Sequence, residues 1–437
     1  MKWLVLGACL WAGQTLAGWQ FAPPVDVLEA KAGIFPHLDA ANRQGLAWSG
    51  GWVAVAWEDN RSGTSQCRVR FKGPAEQDFG HEIRLSSQAC IEPAIIGLRD
   101  GRFAAGWEQD GAVWLTLVKP GKDGTPVKVS HAEAAQISLG YDPQGGLFAA
   151  WVERNGDHLQ LQVGRLELAA NEIRLARSNP VDAQPPIEDQ AYPALVVNAD
   201  GSVVVVWEDR RYKHTVMLVA NGPDGEHFGA PYRLIDKTRN LITGPAAKLG
   251  AGMGAMRPTL AGCGSGPIAG SENAAGAGPC VVAVWLDKRD FLSGYDVYAA
   301  FSSDGGRSFG RNLKVQDGFD ESIAQWHAAV AANNQGRVVA VWDDDRDGNS
   351  DIWLANWTGK GYSDNVAVPA ASGPGTQTDP MVFLDDEGRL HLVWLDQADE
   401  GAGTRIRYVS AVWGAGLNDC GLPAERTEAF QRAAPGT

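Results

Sequence analysis

Several kinds of function are missing from this sequence before any motif is sought. Beyond an apolar run near the start, no stretch approaches the roughly 20 apolar residues that a membrane helix needs. There is no C-x-x-C pair, no H-E-x-x-H and no phosphate-binding loop, so structural zinc, zincin and nucleotide chemistry have no support. Basic residues are the scarcer charge, 38 Lys+Arg against 52 Asp+Glu, and a net charge of −14 repels nucleic acid. Methionine is rare, with 5 in 437 residues, and no segment keeps a helical period over a useful length. What is present is 44% apolar residues, 53 Gly and 17 Trp, enough to bury a core and rich in turns and large aromatics, which favours short strands.

Residues 1–17 read as a secretory signal: Lys2, an apolar run from Trp3, then Gln14-Thr15-Leu16-Ala17 with a small residue at the cut. Leu6-Gly7-Ala8-Cys9 is too close to the start for an ordinary lipoprotein box. Secreted or periplasmic localisation follows. In such a compartment disulfides persist, and five cysteines remain after cleavage.

One phrase recurs: an apolar run into Trp, often an acid, then Asp, any residue and Arg. It is clearest at Trp57-Glu58-Asp59-Asn60-Arg61, Trp207-Glu208-Asp209-Arg210-Arg211, Trp285-Leu286-Asp287-Lys288-Arg289 and Trp342-Asp343-Asp344-Asp345-Arg346, and weaker at Trp107, Trp151 and Trp394. Seven copies at a mean spacing of about 56 residues predict a propeller. Each copy divides into four strands, A to D, with the Trp on B. The last copy has no clear D strand, whereas Phe21–Leu28 resembles a D strand without A, B or C before it. The expected fold is therefore an all-β, seven-bladed β-propeller of four-stranded antiparallel blades, closed by an N-terminal strand. It occupies residues 18–414 as a single domain, with an insertion at about 262–279 and a tail at 415–437. The same register puts Cys67 near Cys90 and Cys263 near Cys280, two reasonable disulfides, with Cys420 left over.

Ser302-Ser303-Asp304-Gly305-Gly306-Arg307-Ser308-Phe309 matches the Asp-box, S-x-D-x-G-x-x-[FW], between strands C and D of the fifth copy, with an echo at Asp224–Phe228. On this box the chain resembles the sialidase or neuraminidase superfamily over nearly its whole mature length. The resemblance implies that the box is a structural turn remote from any active site. It stops short of catalysis, because the [FY]-R-[IL]-P motif of sialidases is absent before Trp57, and the nearest string, Tyr232-Arg233-Leu234-Ile235, lacks the Pro.

In a propeller the D-to-A and B-to-C connections share one face, where ligands usually meet the ring. The residues just before each A strand are Phe35, Glu92, Gln136, Tyr192, Arg257, His327 and Asp379, a polar and varied set. From it come the candidate catalytic residues Glu92, Tyr192, Asp379 and His327, the candidate ligand-binding residue Arg257, and Trp326 as a stacking face for a sugar. The repeat arginines Arg61, Arg211, Arg289 and Arg346 admit two readings: turn-fixing partners of their aspartates, or an Arg-lined mouth for a carboxylated or sulfated sugar. No metal site and no cofactor is predicted; Asp343, Asp345, Asp347, Gly348 and Asp351 only approximate a calcium loop. The expected function is an exported propeller that binds a glycan or envelope component through its central funnel without turnover. The alternatives are a glycoside hydrolase or polysaccharide lyase acting on an acidic glycan, and a scaffold that docks a protein partner through the Gly-rich insertion.

Overall fold

The computed structural model of the chain describes residues 15–414, apart from positions 17, 143, 170–171, 213, 236–253, 266–277, 290–293, 318–322, 399–400 and 402. The signal cut at 17, the tail with Cys420 and most of the Gly-rich insertion lie outside the described residues. Seven antiparallel sheets follow one another along the chain, and the A strands of successive sheets pack against each other around a central axis. Blade 4 is typical, with A at Gln190–Val197, B at Val203–Asp209, C at Val216–Gly222 and D at Tyr232–Arg233. This is a seven-bladed β-propeller.

The ring closes as the sequence predicts. Blade 7 takes A, B and C from Thr376–Leu384, Leu390–Gln397 and Arg405–Trp413. Its fourth strand comes from the N-terminal end of the chain in two pieces, Trp19–Phe21 and Val25–Leu28, both antiparallel to Arg405–Trp413. The break falls at Pro23-Pro24, which cannot donate ladder hydrogen bonds. Trp19 fixes the seam: it is fully buried, its indole N–H donates to Asn356 Oδ1 at 2.9 Å, and it packs among apolar residues of blades 6 and 7.

The repeated phrase now has a physical meaning. All seven signature Trp residues are fully buried, filling the space between neighbouring blades. In six of them the indole N–H donates to the side chain two residues on, as from Trp342 to Asp344 at 2.9 Å and from Trp285 to Asp287 at 2.9 Å. A buried indole needs such an acceptor. The acid between them points the other way, toward the next blade.

In blades 2 to 7 the A and B strands slip register opposite the signature Trp: Glu92 and Pro93 together face Trp107, Tyr192 and Pro193 face Trp207, and Asp379 and Pro380 face Trp394. The first residue of each bulge has a left-handed backbone: Glu92 φ 49°, Gln136 61°, Tyr192 48°, Arg257 54°, His327 48° and Asp379 57°. Such angles are unfavourable for bulky residues. The acid after the Trp steadies four of them. The N–H of Glu92 donates to Glu58 Oε2 at 2.8 Å, that of Gln136 to Glu108 Oε1 at 2.6 Å, that of Arg257 to Glu208 Oε1 at 2.7 Å and that of Asp379 to Asp343 Oδ1 at 3.1 Å. Blade 3 has Val152 in place of the acid, and Gln136 Oε1 accepts the N–H of Tyr192 instead, at 2.7 Å. Five of the seven junctions between blades are thus latched at the innermost strand, and blades 5 and 7 carry Leu286 and Leu395 in place of the acid.

Blade 1 departs from the pattern. Its A strand is split into Pro36–His37 and Leu46–Ser49, and residues 38–45 leave the sheet, with a 3-10 turn at Ala41–Arg43. This enlarged bulge lies across the axis as a plug. Asn42 Oδ1 accepts the N–H of Leu260 at 2.7 Å, Gln44 Oε1 accepts that of Leu139 at 2.7 Å, and Arg43 donates to Pro380 O at 3.2 Å. One segment therefore ties together the inner strands of blades 3, 5 and 7.

Cys263 and Cys280 form a disulfide at the base of the insertion, with Cα atoms 4.9 Å apart. The second expected bridge is not formed. Cys67 and Cys90 are neighbours, with Cys67 N–H 2.8 Å from Cys90 Sγ, yet both stand as buried thiols. The register brings the pair together as the sequence implies, and their contact here is a hydrogen bond rather than a covalent one.

Candidate functional site

The plug carries Asp39 into the face where the bulges converge, and the bulge residues gather around it. Arg257 Nη1 donates to Asp39 Oδ1 at 3.0 Å and its guanidinium lies 3.8 Å from the centre of the Tyr192 ring. Arg43 is 3.7 Å from Asp39 and 3.5 Å from Asp379. His327 places Nδ1 2.8 Å from Asp343 Oδ1 and Nε2 3.4 Å from Asp379 Oδ1. The Glu92 and Glu108 carboxyls are neighbours in the same cluster, close enough to act on each other electrostatically. No N–H or hydroxyl donates to Glu92 Oε2.

The electrostatics agree. Burial, and then repulsion from Glu108 and Asp39, raises Glu92 to about 8. Burial also raises Glu58 and Glu108, and lifts Glu208 to about 6. Burial pushes Asp39 up as well, but Arg43 and Arg257 outweigh it and hold Asp39 below the ordinary carboxylate range. The Tyr192 hydroxyl is raised by burial against the opposing charge of Arg257. The mouth thus contains one carboxyl, Glu92, pushed toward its protonated form beside another, Asp39, held as the carboxylate, a division suited to acid and base roles.

Of the residues expected at the site, Glu92, Tyr192, Arg257, His327 and Asp379 are brought together, half-buried and reachable from solvent. Trp326 is exposed beside His327, and its ring stands 5.3 Å from that of Tyr295. Phe35 lies at the rim, 57% exposed, because the plug has taken the inner position in its blade. The four repeat arginines lie elsewhere. Each is bonded to its own aspartate and reaches outward to groups on or beside D strands: Arg61 to Glu82, Arg211 to Asp182, Arg289 to Asn312 and Arg346 to Asp317. The approximate calcium loop is not assembled either. Asp343 turns to His327, Asp351 Oδ1 accepts from Gly373 N–H, and the group of ligand atoms gathered within 4.8 Å among the described residues is Asp224, Glu226 and His227 instead.

Sequence reasoning missed Asp39 and Arg43. A signal existed. From the Pro to the turn Gly there are 14 positions in blade 1, Pro36 to Gly50, against 8 from Pro93 to Gly101 and from Pro193 to Gly201, and those extra residues are the plug. It also missed Glu58, Glu108 and Glu208, whose repetition marked them as scaffold although their carboxyls face the funnel.

No family model and no curated protein matches the chain. Solved structures do. A protein of unknown function from Dyadobacter fermentans DSM 18053 aligns over 91% of this chain and 99% of its own, at 12% identity and a TM-score of 0.53. The polysaccharide lyase Uly1 aligns over 84% of this chain and 89% of its own, at 10% identity and the same TM-score of 0.53. An alpha-L-arabinanase from Penicillium chrysogenum covers 74% of this chain and 93% of its own at 14% identity, with a TM-score of 0.45. At these identities the likeness is one of fold. Among the described residues no helix is long and apolar enough to cross a membrane.

Proposed function

We propose that the chain is an exported carbohydrate-active propeller that binds a glycan in the plugged funnel and cleaves it, with Glu92 as proton donor to the glycosidic oxygen. The observation that carries this reading is the convergence of Glu92, Tyr192, Arg257, His327 and Asp379, two acids, a phenol, a guanidinium and an imidazole, on one mouth through strained bulges. The bulge itself serves the ring, but the ring needs no particular side chain there, so the variety is left for a ligand. Glu92 holds its proton up to about pH 8. Asp379, between Arg43 and His327, is the carboxylate proposed to activate water. Tyr192 and Arg257 form a flat surface against which a sugar ring can rest. Export rests on the N-terminal apolar run and the disulfide. The Asp-box turn, with Asp304 Oδ1 accepting from Ser302 Oγ at 2.7 Å and from Ser308 N–H at 2.9 Å, supports the sialidase-like relationship, while the missing [FY]-R-[IL]-P motif argues against sialidase chemistry.

Binding without turnover is the second reading. It is favoured by the latches, because Glu58, Glu108, Glu208 and Asp343 already accept backbone N–H groups and are not free to react. Incubating the protein with neutral, amino and acidic polysaccharides and following reducing ends separates the two. Turnover that falls about 100-fold or more in Glu92→Gln, with binding retained, supports cleavage. Binding with no product from the wild-type protein supports the second reading, and neither binding nor product rejects both.

A further inference from the structure

Resting on the glycan reading above, we propose that the funnel selects a cationic glycan, a chain of free amino sugars, and that Trp326 and Phe35 carry sugar rings at its rim. Two separate observations point there. The first is the charge balance of the mouth. Seven carboxyls, those of Asp39, Asp343, Asp379 and four glutamates, face two arginines within the cluster, a third, Arg210, beside Glu208, and the imidazoles of His37 and His327. Both arginines within the cluster are already paired, Arg257 with Asp39 and Arg43 with Asp39 and Asp379. With Glu92 protonated the surplus remains acidic. A sugar carboxylate or sulfate would have to displace Asp39 from Arg257 inside a negative field, whereas an ammonium finds its counter-charges in place.

The second is the rim. Among the described residues, five of the seven large apolar side chains that are exposed lie at the starts of A strands or in the D-to-A and B-to-C connections, on this one face: Phe35, Ile91, Ile187, Tyr212 and Trp326. Trp326 is braced against Tyr295, over which Lys288 Nζ sits at 5.7 Å. Aromatic faces beside an acidic mouth match the apolar C–H face and the ammonium of an amino sugar.

The test is calorimetric titration with a glucosamine hexamer, an N-acetylglucosamine hexamer and a galacturonate hexamer, at about 20 and 300 mM salt. The glucosamine hexamer should bind tightest and weaken about tenfold at the higher salt. Trp326→Ala and Phe35→Ala, at exposed positions, should each weaken the hexamer about tenfold and a glucosamine dimer hardly at all. Equal binding of the acetylated hexamer, tighter binding of galacturonate, or unchanged hexamer affinity in both variants overturns the inference while the glycan reading stands. No binding of any of the three, nor of neutral glycans, removes the glycan reading and this inference with it.

Discussion

The two readings of the repeat arginines separate at Asp344. Its side chain is fully buried and accepts from Trp342 Nε1 at 2.9 Å, Arg346 Nε at 2.9 Å and Arg346 Nη2 at 2.6 Å, while the Arg346 side chain is 6% exposed and its guanidinium lies 4.1 Å from the centre of the Trp353 ring. Asp344→Ala therefore strands a buried guanidinium and a buried indole N–H. Breaking a buried ion pair from one side costs about 3–5 kcal/mol. Arg346 keeps Asp317 at 3.1 Å, which places the loss near the lower end, about 3 kcal/mol. At about 2.1 cal/mol/K of unfolding entropy per residue, a chain of this length loses about 3–4 °C in melting temperature. Adding Arg346→Met removes the stranded charge and should recover part of the loss. Thermal and urea unfolding of the two variants measure this, with glycan binding as a parallel readout. If the double variant is no more stable than the single one, or if Arg346→Met alone leaves stability intact and abolishes glycan binding, the turn-fixing account is wrong.

Other outcomes follow from the same geometry. Glu92 has a folded pKa raised from 4.5 to about 8, so in that window the folded state binds a proton that the unfolded state has lost. Its contribution to stability is therefore present at acid pH and lost as pH rises toward 8; urea unfolding of Glu92→Gln should show a flatter decline between pH 4.5 and 8 than the wild-type protein. If cleavage occurs, its rate should fall on the alkaline side near pH 8. Trp19→Ala, which opens the seam between blades 6 and 7, should cost about 3–5 kcal/mol and expose the end strand to proteolysis; an unchanged melting temperature would show that the N-terminal strand does not close the ring.

The sequence by itself determined the number of blades and the two acids of the repeat, because these are short-range matters, and counting strands copy by copy then left the N-terminal strand to close the ring. A Trp that must be buried and a polar side chain two residues on recur in every copy, with a turn Gly six residues before the Trp in six of the seven, and all can be counted. It also named the residues before the A strands, since Pro93, Pro193, Pro258 and Pro380 mark those positions. What the tertiary structure alone decided is which of them meet and in what charge state. Left-handed bulges turn those side chains toward the axis, and backbone angles are not written in residue type. The extra residues of blade 1 became a plug only because a closed ring offers the inner strands of blades 3, 5 and 7 to hold it. The proton on Glu92 depends on Glu108, 16 positions away, and on Asp39, 53 positions away, brought beside it in a setting where water no longer screens them. Charge proximity across blades is a property of the ring, and no single repeat contains it.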